Sequence, residues 1–245
     1  MKHSLNKLTG FSIEAIDGPK GKVKDFLFDE DTWIVRYMEA DYGSLFKDRK
    51  VLIPGIFFKR PNLEDKQFPV GLTKENVENC PTMEERMPIS MEYEKKLSEH
   101  YDYKWPWVYA EPVGTLYYPS RPLTVPSSVI DEKDLETSLR SFKEVKDYDI
   151  NAVNGMLGHV DDLIIDDIDW QVVYVVVDTS NWLPLSKRVI LPISQLKEIS
   201  YVRREVSVDL HTDTIKNAPE FDHDHPLREE DEKELHEYYS RTLVK

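Results

Sequence analysis

Carboxylates gather where this chain turns: Asp29-Glu30-Asp31 in the first half, and Asp161-Asp162 with Asp166-Asp167 and Asp169 in the second. Several carboxylate oxygens at one turn are what calcium and magnesium take as ligands. The spacing does not fit a helix-loop-helix calcium site, which needs a glycine at the sixth loop position and a closing glutamate. Solvated hairpin tips are therefore expected. Asp222-His223-Asp224-His225 sets imidazole beside carboxylate, a donor set suited to zinc or nickel. Adjacent side chains seldom converge on one ion and no third ligand is marked nearby. Asp222, His223, Asp224 and His225 are thus weak metal candidates, and a polar loop after Pro219 is the expectation. Catalysis finds less support: the sequence has no serine elbow, no phosphate-cradling glycine loop and no His-Glu-x-x-His. Gly18-x-x-Gly21 lacks the following helix whose dipole would meet a phosphate, so it reads as turn chemistry. No catalytic residue, resident metal or cofactor is assigned, and the chain is expected not to be an enzyme.

Charge narrows the partners. With 46 acidic against 32 basic residues, the net charge is −14, and the overall field opposes approach to nucleic-acid phosphates. Lys187 and Arg188 with Arg203 and Arg204 form the best basic candidate, but it is short and has no flanking aromatic platform. No apolar run reaches the length of a membrane span, and Met1–Gly10 lacks the apolar stretch of a secretory signal, which points to the cytoplasm. The single cysteine, Cys80, excludes an intrachain disulfide and is expected to be inert.

The elements that must position these residues come twice. Gly18, Gly21, Asp25, Asp29 and Trp33 answer to Gly155, Gly158, Asp162, Asp166 and Trp170 at one constant shift. After one inserted residue, Val51–Pro54 answers to Val189–Pro192, Asn79 to Asn217, Pro81 to Pro219, Leu97 to Leu235 and Tyr101 to Tyr239. A repeat this long is a duplicated domain and not a solenoid. Within each copy, Asp17-Gly18 and Asn154-Gly155 mark tight hairpin turns, and Gly18, Gly21, Gly155 and Gly158 are assigned as structural turn residues. The longest strands are expected at Trp33–Ala40 and Trp170–Val177. The second of these is apolar on both faces, as when both are covered. Val173, Val175 and Val177, with Trp182, are therefore candidates for an interaction surface. Proline-terminated strands follow, and then short helices at Glu92–Tyr101 and Glu229–Tyr239, the first with Tyr93, Leu97 and Tyr101 on one stripe. Residues 1–103 and 141–245 are read as two domains. The intervening 104–140 carries Pro106, Pro112, Pro119, Pro122 and Pro126 among Trp105, Trp107, Tyr109, Tyr117 and Tyr118, and reads as a stiff strap lying on one or both of them.

Gly-x-x-Gly-x-Val-x-Asp, an acidic turn, a Trp-led strand and Val-Ile-Leu-Pro together resemble the PRC-barrel domain. This module is named for the cytoplasmic part of the photosynthetic reaction centre H subunit and is shared with a bacterial ribosome maturation factor. Leu139–Val145, Asp178-Thr179-x-Asn181-Trp182-Leu183-Pro184 and Asn217-Ala218-Pro219 resemble stretches of tandem PRC-barrel proteins of bacteria. The first copy departs from the pattern at Asp41-Tyr42-Gly43-Ser44. The resemblance implies a mainly β chain of two small, partly open, pseudo-symmetric barrels, each followed by a short helix. It also implies a role in protein contacts, with no active site to carry over. The expected function is a non-enzymatic interaction or adaptor module, with homodimerisation open and no nucleic-acid partner. The alternatives are a small-ligand or metal-binding stress-response protein and a ribosome-maturation-like factor in an RNA context.

Overall fold

The computed structural model describes residues 1–43, 49–81, 89, 91–103, 138–179, 187–223, 225 and 227–242. The fold is mainly β, in two sheets of six and seven strands, and neither sheet closes into a barrel. The first half contributes β1 (Lys2–Ser4), α1 (Leu5–Leu8), β2 (Ser12–Ala15), β3 (Gly18–Asp29), β4 (Val35–Asp41), β5 (Lys50–Pro54), β6 (Gln67–Pro69), α2 (Lys74–Glu78) and α3 (Met91–His100). The second contributes β7 (Leu139–Ser141), α4 (Phe142–Val145), β8 (Asp149–Ala152), β9 (Gly155–Asp166), β10 (Val172–Asp178), β11 (Arg188–Pro192), β12 (Leu196–Ser200), β13 (Glu205–Val208), α5 (Thr212–Lys216) and α6 (Glu229–Thr242).

One sheet runs β5-β4-β3-β2-β6 and the other β11-β10-β9-β8-β13-β12. Proline ends β5 and β11, which lie at sheet edges, where its missing N–H costs no ladder bond. The longest strands are the 12-residue β3 and β9, and not those that follow the tryptophans. Trp33 and Trp170 stand outside β4 and β10, with φ of 62° and 58°. Gly18 and Gly155 open β3 and β9 at the hairpin turns. Gly21 and Gly158 lie inside those strands at φ of 83° and 68°, where they bend the strand and do not turn it. A Cβ on Gly21 would stand 2.4 Å from the Asp41 carbonyl oxygen, and one on Gly158 2.2 Å from that of Asp178.

The helices close over the sheets in the same way in both halves. Leu97 and Tyr101 of α3, and Leu235 and Tyr239 of α6, are buried. The Tyr101 hydroxyl donates to the Leu52 carbonyl at 3.1 Å, and that of Tyr239 to the Ile190 carbonyl at 2.7 Å.

Each sheet borrows a strand from the other half. β1 pairs antiparallel with β9, Lys2 opposite Asp166 and Ser4 opposite Ile164. β7 pairs antiparallel with β3, Asp29 opposite Leu139 and Leu27 opposite Ser141. Leu139 and Arg140, placed by the sequence in the connecting strap, are thus a strand of the first sheet, while 104–137 lie outside the described residues. Between the arms a pseudo-twofold bridge joins the halves: Val35 N–H donates to the Trp170 carbonyl at 2.8 Å and Val172 N–H to the Trp33 carbonyl at 2.7 Å. The left-handed backbone at each tryptophan frees that carbonyl to face the other half. The Trp170 ring enters the first half's core, 4.8 Å from Phe58 and 5.4 Å from Phe68.

Candidate functional site

Each arm ends in a serine that caps a four-residue helix, and each cap is gripped by a carboxylate of the opposite half. Ser141 caps α4, its Oγ accepting from Glu144 N–H at 3.0 Å, and donates its own proton to Asp25. Asp25 also accepts from the backbone N–H of Lys143 at 3.0 Å and of Phe26 at 2.8 Å. The mirror set is Ser4 to Asp162, Asn6 N–H to Asp162 at 3.0 Å and Leu163 N–H to Asp162 at 2.8 Å. Asp25 and Asp162 are 6% and 5% exposed. Burial outweighs the hydrogen bonds that favour the anion and pushes each carboxyl up to about 6. These carboxylates are committed to holding backbone and serine groups. Beside them Leu5, Leu8, Phe142 and Val145 of the arm helices are buried, worth roughly 1.5–3 kcal/mol per large side chain.

A second charged group, buried at Glu94 and half-buried in the second half, ties each long helix to its sheet. Arg36 stands between Glu94 at 2.7 Å and Asp29 at 3.4 Å. The Tyr37 hydroxyl donates to Glu94 at 3.1 Å and Ser138 Oγ to Asp29 at 2.7 Å. Burial drives Glu94 up to about 7 against the pull of Arg36. In the second half the cation sits on the exchanged arm: Lys2 reaches Asp166 at 2.6 Å and Glu232 at 3.5 Å, and the Tyr174 hydroxyl donates to Glu232 at 3.1 Å. Arg36, on β4, thus has its counterpart on another element.

The acidic turns are engaged by the protein's own donors. Asp29 accepts from Asp31 N–H at 3.1 Å and Thr32 N–H at 2.9 Å. Asp167 receives His3 Nε2 at 3.0 Å and Arg60 Nε at 3.1 Å. Asp222 and His225 pair at 2.7 Å in an exposed loop, and Asp224 lies outside the described residues. No group of three His, Cys, Asp or Glu among the described residues could hold a metal. The Asp222–His225 loop borders a cleft of about 630 Å³ against α6, floored by Ile190, Leu227 and Leu235.

The basic candidates do not form a patch. Arg188 pairs with Asp161 at 2.6 Å, Arg203 with Glu205 at 3.3 Å, and Lys187 donates to the Ala218 carbonyl at 2.9 Å. Arg204 lies over the Tyr148 ring at 5.0 Å. Val175 and Val177 are buried within the chain and offer no surface to a partner; Val173 is half-buried against the core, and Trp182 lies outside the described residues. Cys80 is buried, and its thiol is pushed up to about 11.

The arms are what the sequence reading missed. Ser4 and Ser141, Leu5 and Phe142, and Leu8 and Val145 stand at the same constant shift as the glycines, and carrying the alignment back to the first residues would have shown them. Among the described residues no helix is long and apolar enough to cross a membrane. No curated protein matches the chain. Residues 142–215, from the start of α4 into α5, match the PRC-barrel domain.

Proposed function

We propose that the chain is a non-enzymatic protein-interaction module built from two PRC-like units that arose by internal duplication, acting in the cytoplasm. The observation that carries this reading is the structural use made of the charged groups. Asp25 and Asp162, at corresponding positions of the two halves, hold the arms, while Arg36 with Glu94 and Lys2 with Glu232 tie the long helices to the sheets. The duplication is supported by left-handed backbone recurring at Gly10 and Asp147, Trp33 and Trp170, and Lys66 and Arg204. A protein partner, and not RNA, is favoured by the net charge of −14 and by the pairing of Arg188 and Arg203 with acidic neighbours.

The test is photo-cross-linking in the source organism, with the probe placed in turn at the exposed Ile16, Ile56 and Val153, and mass spectrometry of the adducts. A discrete protein adduct that recurs from one probe position is expected. Recovery of ribosomal RNA at physiological salt would replace the reading with an RNA-context one. A stoichiometric zinc, nickel, calcium or magnesium site in calorimetric titration, abolished by His223→Ala with His225→Ala, would replace it with a metal-binding one.

A further inference from the structure

Laid over each other, the halves differ at one place where the first packs a ring and the second does not. In the first half the Tyr93 ring, at the start of α3, packs against the core, and its hydroxyl donates to the Pro81 carbonyl at 2.8 Å. The neighbouring Cys80 is buried. At the shift that carries Leu97 to Leu235 and Pro81 to Pro219, Tyr93 answers to Asp231 and Cys80 to the smaller Ala218. Asp231 does not take the place of the ring. It turns to Arg228, accepting from its backbone N–H at 2.9 Å and from its Nη2 at 3.0 Å. The cleft of about 630 Å³ beside α6 opens at this position, lined by Pro219, Leu227, Asp231 and Leu235. Among the described residues no side chain donates to the Pro219 carbonyl, the counterpart of the one that receives Tyr93. Glu220 and Glu234 also line the cleft, are exposed, and form no ion pair among the described residues.

We propose that this cleft docks a tyrosine side chain of another protein, carried on a positively charged segment. The first half shows the occupant that the shared framework accepts, a tyrosine ring with its hydroxyl on the proline carbonyl. In the second half the ring would lie on Ile190, Leu227 and Leu235 and donate to Pro219. Glu220 and Glu234 would meet lysine or arginine on either side of it, in the sense favoured by the net charge of −14. A cleft of this volume has room for the ring and parts of its neighbours, and a tyrosine seated in a pocket is a common anchor of protein interfaces. Such docking presupposes the interaction reading and gives it a site and a partner chemistry.

The experiment titrates the full-length protein by calorimetry with acetylated, amidated Lys-Tyr-Lys, Lys-Phe-Lys and Lys-Ala-Lys peptides. The tyrosine peptide is expected to bind, the phenylalanine peptide roughly tenfold more weakly for want of one hydrogen bond, and the alanine peptide not at all. Nuclear Overhauser contacts are expected from the tyrosine ring to the methyl groups of Leu227 and Leu235. Asp231→Tyr, which supplies the ring from within the chain, should abolish binding, and Glu220→Gln with Glu234→Gln should weaken it and flatten its salt dependence. Absence of binding by the tyrosine peptide, or equal binding by the alanine peptide, overturns the inference. So do ring contacts to some other face of the protein, whatever the Asp231 variant does. Tyramine that binds as tightly as the peptide overturns it too, since the cleft would then take a small molecule. A cross-linked protein adduct at Ile16, Ile56 or Val153 would stand in each of these cases, so the failure of this cleft is distinguishable from failure of the interaction reading.

Discussion

At the residue scale, the two glycines that bend β3 and β9 do different work from the two at the hairpin turns. Gly21 and Gly158 combine positive φ with a backbone oxygen where a Cβ would stand, whereas nothing lies within 4 Å of a Cβ on Gly155. Gly21→Ala and Gly158→Ala should therefore each cost at least about 2–3 kcal/mol, and Gly155→Ala about 1–2. Urea denaturation measures the order; a Gly155 variant less stable than the Gly158 variant would refute the bend assignment. The glycine pattern itself was legible from sequence, because turn and bend both demand glycine. Which of the two each position served was not, since the obstructing oxygens belong to Asp41 and Asp178 on the neighbouring strand. The buried carboxylates carry a pH signature. Asp25 and Asp162 titrate at about 6 in the fold against an ordinary 3.8. Their stabilisation is fully present below about pH 4 and is lost as pH rises through about 6, on the order of 2–3 kcal/mol per site. Asp41, Asp166 and Asp167, held below the ordinary carboxylate range, act in the opposite sense, and their contribution is lost as pH falls. With Asp25→Asn and Asp162→Asn combined, stability relative to wild type should be greater at pH 7.5 than at pH 4. Parallel stability curves for the two proteins across this range would show that burial does not govern these groups.

At the element scale, β10 was readable as doubly covered because Val172–Val177 offers no polar face. Val172, Val175, Val176 and Val177 are all buried, while Tyr174 turns toward Glu232 of α6. Val175→Lys and Val176→Lys should each lower stability by more than about 3 kcal/mol, by placing an ammonium without a partner in the core. A change below 1 kcal/mol in either, measured by chemical denaturation, would mean that the strand can shed one of its covers. The capped arms were not readable as elements. A three-residue strand has no period to detect, and its partner lies more than a hundred residues away, so Ser4 and Ser141 look like ordinary polar residues until Asp162 and Asp25 are placed against them. The sequence pattern starts the long strands at Trp33 and Trp170, but the structure starts β4 and β10 after them. Their left-handed backbone answers instead to the bridge they make across the halves.

At the scale of the whole molecule, reciprocal arms make each half depend on the other. Deleting residues 2–8 removes Ser4, Leu5 and Leu8, whose contacts include Asp162 and β9 of the second half. Hydrogen exchange of this variant should show lost protection at residues 162–166 in β9 in addition to the neighbours of the deletion. Loss confined to residues 10–81 would show that the arm serves only its own half. The mainly β fold in two sheets was legible because the strand and turn signals recur along nearly the whole chain. The way the units interlock was not, because it is encoded in contacts between sequence-distant residues and in no local pattern.

The exchange also dictates when the molecule can be finished. A polypeptide leaves the ribosome from its first residue onward, so β1, ending at Ser4, emerges with 150 residues still to be made before its docking strand β9 begins at Gly155. The first sheet, for its part, cannot seat β7 against β3 until residues 139–141 have been synthesised. At about 5–20 residues per second, the nascent first half spends several seconds with Asp25 lacking its serine and one flank of β3 open. Such late, non-local closure is slow and leaves strand edges available to other chains. Ribosome-bound intermediates of this protein are therefore expected to be the form most in need of a chaperone, with that need easing once β9, which docks β1, clears the exit tunnel.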